Sequence, residues 1–153
     1  PISVQAVGIS HTKNELENIA YITLNYKSQK LIHFNCSWIS PVKIRHMLIG
    51  GDKKMIVFND LETTEKIKIY DSSYANKINP ENRGQILTDY RIGDIFIPKI
   101  EQIEGLRNMA EDFINSIQSN KEPISNFDLA LDIVKILESA QKSIKSNGVV
   151  VEI

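Results

Sequence analysis

The chain has one cysteine, one tryptophan, and no hydrophobic run of the ~18 residues needed to cross a bilayer. A lone thiol, Cys36, cannot close an internal disulfide, and its isolation agrees with a reducing, cytoplasmic setting. Charge of one sign is also missing. Eighteen Lys and Arg stand against 19 Asp and Glu, for a net charge of -1. No general field draws the chain to phosphate backbones or anionic lipids, so neither nucleic acid nor a membrane is expected as a partner. Seven Gly, five Pro and 42% hydrophobic residues exclude collagen-like, disordered and low-complexity classes. At 153 residues the sequence fits one domain with one core, spanning 1–153.

Catalytic signatures are missing as well. There is no G-x-G-x-x-G after a strand, no P-loop, no G-x-S-x-G elbow, no H-E-x-x-H and no Cys/His spacing suited to zinc. Gly50-Gly51 joins two strand-like runs rather than a strand and a helix, so it offers no helix N-terminal amides to a phosphate. No catalytic residue, cofactor site or metal site is therefore expected within these residues. The chain opens on Pro1 without Met and already reads as a strand, as it would if an upstream segment had been removed.

The first half is patterned with period two. Residues 18–26, NIAYITLNY, place Ala20, Ile22, Leu24 and Tyr26 on one face. Tyr21, Thr23 and Asn25 fall on the other. Residues 30–38, KLIHFNCSW, repeat the arrangement, and the short KSQ between the runs predicts an antiparallel hairpin. Further strands are predicted in VKIRHMLIG, KKMIVFND and EKIKIYD, joined by connections too short for parallel crossovers. From Ser72 to about Arg91 the periodicity disappears among Asn, Pro and Gly, which predicts a long functional loop. A short strand follows near DIFIP.

The period then becomes helical. Leu106, Met109, Ala110, Phe113, Ile114 and Ile117 form one stripe, ended by Asn120 and Pro123. Leu129, Ile133, Ile136, Leu137, Ala140 and Ile144 form a second. Ser125 or Asn126 supplies its cap, Asp128 favours its N-terminal dipole, and Asn147-Gly148 makes a left-handed stop. VVVEI closes the chain as a last strand.

These elements predict an α+β fold: an open, mostly antiparallel sheet of six or more strands with helices on one face. The other face, carrying Tyr21, Thr23, Leu31 and His33, is then available for a homodimer contact. His33 and Cys36 lie three apart in a strand, on opposite faces, and cannot share a metal ion. Core packing is the reading for Cys36, and a half-buried, hydrogen-bonded place for His33; His11 is exposed in a polar turn. Trp38 reads as a core or interface anchor. Lys43 and Arg45, two apart on a predicted strand face with His46 pointing the other way, could hold a substrate carboxylate or phosphate, or could be solvated surface. Tyr90 and Arg91, beside Gly93 at the mouth of the sheet, are the second candidate substrate contact. Asp128 and Asp132 read as helix-dipole partners rather than an acid-base pair.

Several segments, taken together, are similar to a known family. They are Ser37, Trp38 and Pro41 before Lys43 and Arg45, the Gly50 turn leading to Asp60, Gly93-Asp94 with Pro98, the FINSI helix end before Lys121-Glu122-Pro123, and the closing LESAQKSIKSNGVVVEI. The chain resembles, over nearly its whole length, the C-terminal domain of the glucose-fructose oxidoreductase, inositol dehydrogenase and rhizopine catabolism (Gfo/Idh/MocA) dehydrogenases. It departs from the family at Glu104-Gly105-Leu106, where Glu-Pro-Leu is common, and at Lys54, where Gly is common. The resemblance implies a substrate and dimerisation domain, with NAD or NADP held by an N-terminal Rossmann domain absent from these residues. It also implies hydride transfer in the intact protein from a sugar or nucleotide-linked sugar hydroxyl, with Tyr90 and Arg91 shaping the substrate site. The alternative is a free-standing, non-catalytic dimeric interaction module, which upstream coding sequence would distinguish.

Overall fold

A computed structural model describes residues 1–12, 16–71, 73–77, 87–91, 93–101 and 103–153, with backbone alone for 73–77 and 87–91. Among these the chain runs β1 (Ser3–Ile9), β2 (Ile19–Asn25), β3 (Leu31–Ser37), β4 (His46–Gly50), β5 (Met55–Asn59), β6 (Ile67–Tyr70), β7 (Ser73–Lys77), β8 (Leu87–Arg91), β9 (Ile95–Phe96), α1 (Gly105–Ser119), α2 (Phe127–Lys145) and β10 (Val151–Glu152). All described strand pairs are antiparallel. The expected α+β, open antiparallel class is what the structure shows. Its ladders are divided, however, into sheets of order β10-β1-β2-β3 and β4-β5-β6-β9 and the hairpin β7-β8, rather than running as one. By contact the chain forms two compact units, Pro1–Pro41 with Leu106–Ile153, and Val42–Gly105.

In the first unit β1 and β2 pair from Ser3↔Asn25 to Ile9↔Ile19, and β2 and β3 from Ile19↔Ser37 to Asn25↔Leu31. Directly opposed residues share a face, so Val4, Ala6, Ile22 and Leu24 lie together under α2. Val4, Ala6, Leu24 and Ala140 are buried there, with Ile22, Tyr26, Ile136 and Ile144 packed around them. Small residues explain how closely α2 approaches: Ala6 on β1 clusters with Ala140 and bonds to Ser143, and Gly8 leaves room for Ile144. A Cβ added at Gly8 would lie 2.9 Å from Glu17 Cγ and 3.3 Å from Ile144 Cδ1.

This closeness brings Ser143 to the strand backbone. Ala6 N–H donates to Ser143 Oγ at 2.8 Å. The hydroxyl donates to the Val149 carbonyl at 2.6 Å, with the Ala6 carbonyl 3.2 Å away as a second acceptor. β10 pairs with β1 only at Ser3↔Glu152 and Val4↔Val151. Ser143 thus satisfies the next backbone groups of β1, where the short strand has ended.

The ends of α2 follow from its sequence. Asn126 is the cap, its side chain accepting from Leu129 N–H at 2.9 Å, with Asp128 in the first turn and Lys142 and Lys145 in the last. At the other end Gly148 N–H donates to Ser143 O at 2.8 Å and Asn147 N–H to Ile144 O at 3.1 Å, both residues having positive φ. That is the double-bond stop expected of Asn-Gly. α1 differs. Its stripe residues Leu106, Met109, Phe113, Ile114 and Ile117 are all exposed, and the helix has no buried residue.

In the second unit β4 and β5 form a hairpin closed by Gly51 N–H donating to Lys54 O at 3.0 Å. Two expectations are corrected here. β4 starts at His46, so Lys43 and Arg45 precede the strand and do not share a strand face. The segment read as one long loop contains the hairpin β7-β8, in register from Ser73↔Arg91 to Lys77↔Leu87; its residues 78–86 lie outside those described. The register aligns Tyr74 with Tyr90 and Ala75 with Asp89, a pairing that polar composition hides from any period-two search.

Candidate functional site

Two surfaces carry the candidate residues, one in each unit. In the second unit the β4-β5 hairpin sets Arg45 opposite Asp60: Asp60 N–H donates to Arg45 O at 3.0 Å, and Arg45 Nη1 to Asp60 Oδ2 at 3.2 Å. Lys66 Nζ reaches Asp60 Oδ1 at 3.4 Å. The Arg45 and Lys66 hydrogen bonds hold the Asp60 carboxyl below its ordinary pKa. A shallow cavity of about 310 Å³ lies beside this cluster, lined in part by Asp60, Glu62, Thr63, Lys66 and Glu104. Its mixture of carboxylate, ammonium and hydroxyl groups can hydrogen-bond a polyhydroxylated ligand. It contains no activated nucleophile.

Lys43 is exposed in the segment leading to β4. Tyr90 and Arg91 end β8, and their side chains lie outside the described residues. Close to the end of β6, a Cβ at Gly93 would collide with the Asp71 carbonyl, and Asp71 N–H donates to Asp94 O at 3.0 Å. Only glycine lets the backbone at 93 approach β6 so closely.

On the first unit's sheet, the face turned away from α2 carries Tyr21, Thr23, Leu31 and His33. The rings of Tyr21 and His33 stack, with centroids 6.1 Å apart and planes 12° from parallel. Thr23 Oγ1 and His33 Nδ1 are hydrogen-bonded at 3.1 Å. Leu31 is 66% exposed. The register adds Gln5 beside Thr23 and Asn35 beside Tyr21, giving a face that mixes aromatic, aliphatic, hydroxyl and amide groups. His33 is hydrogen-bonded as expected but exposed rather than half-buried. It lies on the opposite face from Cys36, as strand geometry requires.

The core reading of Cys36 fails: it is exposed, because β3 lies beyond the reach of α2. Trp38 is 92% exposed, which removes the core half of its reading and leaves the interface anchor. His11, exposed as expected, bonds through Nδ1 to Asn18 Oδ1 at 2.9 Å. Sequence reasoning missed Asp60 as the partner of Arg45, although counting back from the Gly51 turn pairs the two. It also missed Ser143, for which only the run of small residues on α2 gave a signal.

The described residues do not fit a dinucleotide. Gly50-Gly51 lies in a hairpin between antiparallel strands, and neither helix follows a glycine turn at the end of a parallel strand. Among them no group of three His, Cys, Asp or Glu could hold a metal ion, and no helix is long and apolar enough to cross a membrane.

No protein-family profile matches the sequence, and no curated protein does. Solved structures do match its fold. The aldose-aldose oxidoreductase of Caulobacter crescentus, complexed with glycerol, superposes with a TM-score of 0.69 at 14% identity, over 100% of this chain and 41% of its own. UDP-N-acetylglucosamine 3-dehydrogenase from Acidithiobacillus ferrooxidans gives 0.63 at 15%, over 92% of this chain and 41% of its own. A protein described as an NADPH-dependent oxidoreductase from Desulfitobacterium hafniense gives 0.66 at 15%, over 99% and 42%. The chain therefore has the fold of a part of these oxidoreductases, in agreement with the resemblance read from its motifs, and spans about two fifths of their length.

Proposed function

We propose that this chain is the substrate-shaping and subunit-contact domain of a nicotinamide-dependent oxidoreductase of the Gfo/Idh/MocA type, acting on a hydroxyl of a sugar or nucleotide-linked sugar. The observation that carries the reading is the fold match. It takes in 92–100% of this chain while leaving more than half of each neighbour unmatched, as expected of one domain of a larger enzyme. The neighbours' names supply the substrate class and the cofactor: an aldose, a UDP-linked amino sugar and NADPH. On this reading NAD or NADP is held by the rest of the longer protein, since the described residues offer no glycine turn between a parallel strand and a helix, and the chain alone is inactive. Its own contribution is positioning. Tyr90 and Arg91 contact the substrate, and Lys43 with the Arg45–Asp60–Lys66 cluster lines the approach. Tyr21, Thr23, Leu31 and His33 form the homodimer contact.

Calorimetric titration of NADPH into the 153-residue chain is expected to give no binding, while the longer gene product binds it. Tight binding to the chain alone overturns the assignment. In the longer product, Arg91→Ala is expected to lower kcat/KM on the sugar substrate by about 10- to 100-fold, the range for losing a charged hydrogen bond in the transition state. An unchanged kcat/KM removes Arg91 from the site.

A further inference from the structure

The helix-bearing face of the β10-β1-β2-β3 sheet is only half covered. α2 lies over β1 and β10, and on its far side runs a groove of about 380 Å³ with Ile22, Val134, Leu137 and Ile144 in its lining. Glu17 and Glu138 also border it. The register continues the apolar floor outward, since Ile32, Phe34 and Cys36 of β3 share the face of Ile22. Ile32 and Phe34 are 40% and 43% exposed, and Leu137 on the facing wall 57%. Leu24 of β2 is buried under α2, so the open strip begins at Ile22 and runs outward over β3 to the edge of the sheet, where a helix ~10 Å across can rest against the flank of α2.

We propose that this groove seats one amphipathic helix from the polypeptide that the structurally similar oxidoreductases possess and this chain does not span; the inference rests on the reading of the chain as part of a longer enzyme. Those neighbours carry more than half their length outside the matched region. The chain's own α1 is a poor occupant, although its stripe is unpartnered. Lys121 N–H donates to Ser116 O at 3.1 Å and Ile124 N–H to Asp112 Oδ2 at 2.9 Å. These bonds pin the connection against α1 itself, leaving only Ser125 before the Asn126 cap of α2. The carboxylates of Glu17 and Glu138 add a chemical specification: the seated helix carries Lys or Arg along its flanks, next to its apolar stripe.

Cys36 is the only cysteine of the chain and stands on this floor, so its thiol reports whether the groove is covered. Maleimide labelling, read at the Cys36 peptide by mass spectrometry, is expected to be fast in the 153-residue chain and at least tenfold slower in the longer gene product. Leu137→Glu keeps a good helix former at an exposed position and is expected to leave the melting temperature of the 153-residue chain unchanged while restoring fast labelling in the longer product. Equal rates in both proteins overturn the proposal, as does a gene that encodes no further polypeptide. Slow labelling in the 153-residue chain also overturns it. If independent of concentration, that result assigns the cover to the chain itself; if it grows with concentration, to a second copy. Protection without nicotinamide binding defeats the enzymatic reading and leaves the groove assignment standing, and nicotinamide binding without protection does the reverse.

Discussion

Ser143 is the residue on which the join between helix and sheet depends. Fully buried, it receives the Ala6 amide and donates to the Val149 carbonyl, so one hydroxyl connects β1, α2 and the turn into β10. Ser143→Ala leaves the Ala6 N–H without a partner in a dry site, which costs about 1–3 kcal/mol. The expected readout is a lower urea midpoint with an unchanged m-value; a midpoint equal to the parent's would show that water replaces the hydroxyl. Gly148 is constrained by both conformation and space, with φ at +83° and a hypothetical Cβ 2.8 Å from Val7 Cγ1. Asp60 governs a different property. Its carboxyl is held below the ordinary range first by Arg45 and then by Lys66. A depressed carboxylate stabilises the fold above its unfolded pKa of ~4 and loses that stabilisation as pH falls through the lower folded value. The pair is solvent-exposed, so the effect is small and screened by salt. Asp60→Asn is expected to flatten the melting temperature below pH 4 relative to the parent, and two parallel acid profiles would contradict the assignment.

Among the elements, α2 has caps at both ends and a buried face, whereas α1 has a left-handed stop at Asn120 but no buried residue. Fifteen residues are marginal for a helix standing alone in water, and all the large apolar residues of α1 are exposed. Amide exchange of the 153-residue chain is therefore expected to be fast throughout α1 and slow in the middle of α2; comparable protection in both would mean that the α1 stripe is covered. The contrast also shows what the sequence could reveal. Helical period, the Asn126 cap and the Asn147-Gly148 stop are local properties, and all were legible. The β2-β3 and β4-β5 hairpins were legible because short turns fix their register. The β1-β10 pairing joins the two ends of the chain and leaves no local trace. The β7-β8 hairpin was hidden by Asn, Asp, Ser and Lys at positions where alternation would have shown it. Of the candidate site, Arg45 was visible as a cation. Its engagement with Asp60 depends on the hairpin register, and that engagement leaves it paired rather than a free charge.

For the molecule as a whole, the decisive question is what meets the sheet face opposite α2. Tyr21, His33 and Leu31 expose aromatic and apolar surface beside Thr23, Gln5 and Asn35, a composition resembling the core and rim of a subunit interface more than a wetted sheet. Two modes of self-association are open to such a sheet. Face-to-face packing uses the side chains of β2 and β3, whereas edge-to-edge pairing uses the backbone of β3, the last strand in its sheet order. Charge separates them. Tyr21→Glu with Leu31→Glu sets like charges against each other across a face-to-face contact and is expected to raise the dimer Kd by about a thousandfold, about 4 kcal/mol. The same pair leaves the β3 backbone able to join an edge. Sedimentation equilibrium of the parent chain at about 50 µM, well above the Kd of ~1 µM typical of a specific contact, is expected to give a dimer, and that of the double variant a monomer. A monomeric parent would remove the contact, and a dimer that survives both glutamates would move it off this face, to a sheet edge or to the groove beside α2, since neither is sensitive to charge placed here.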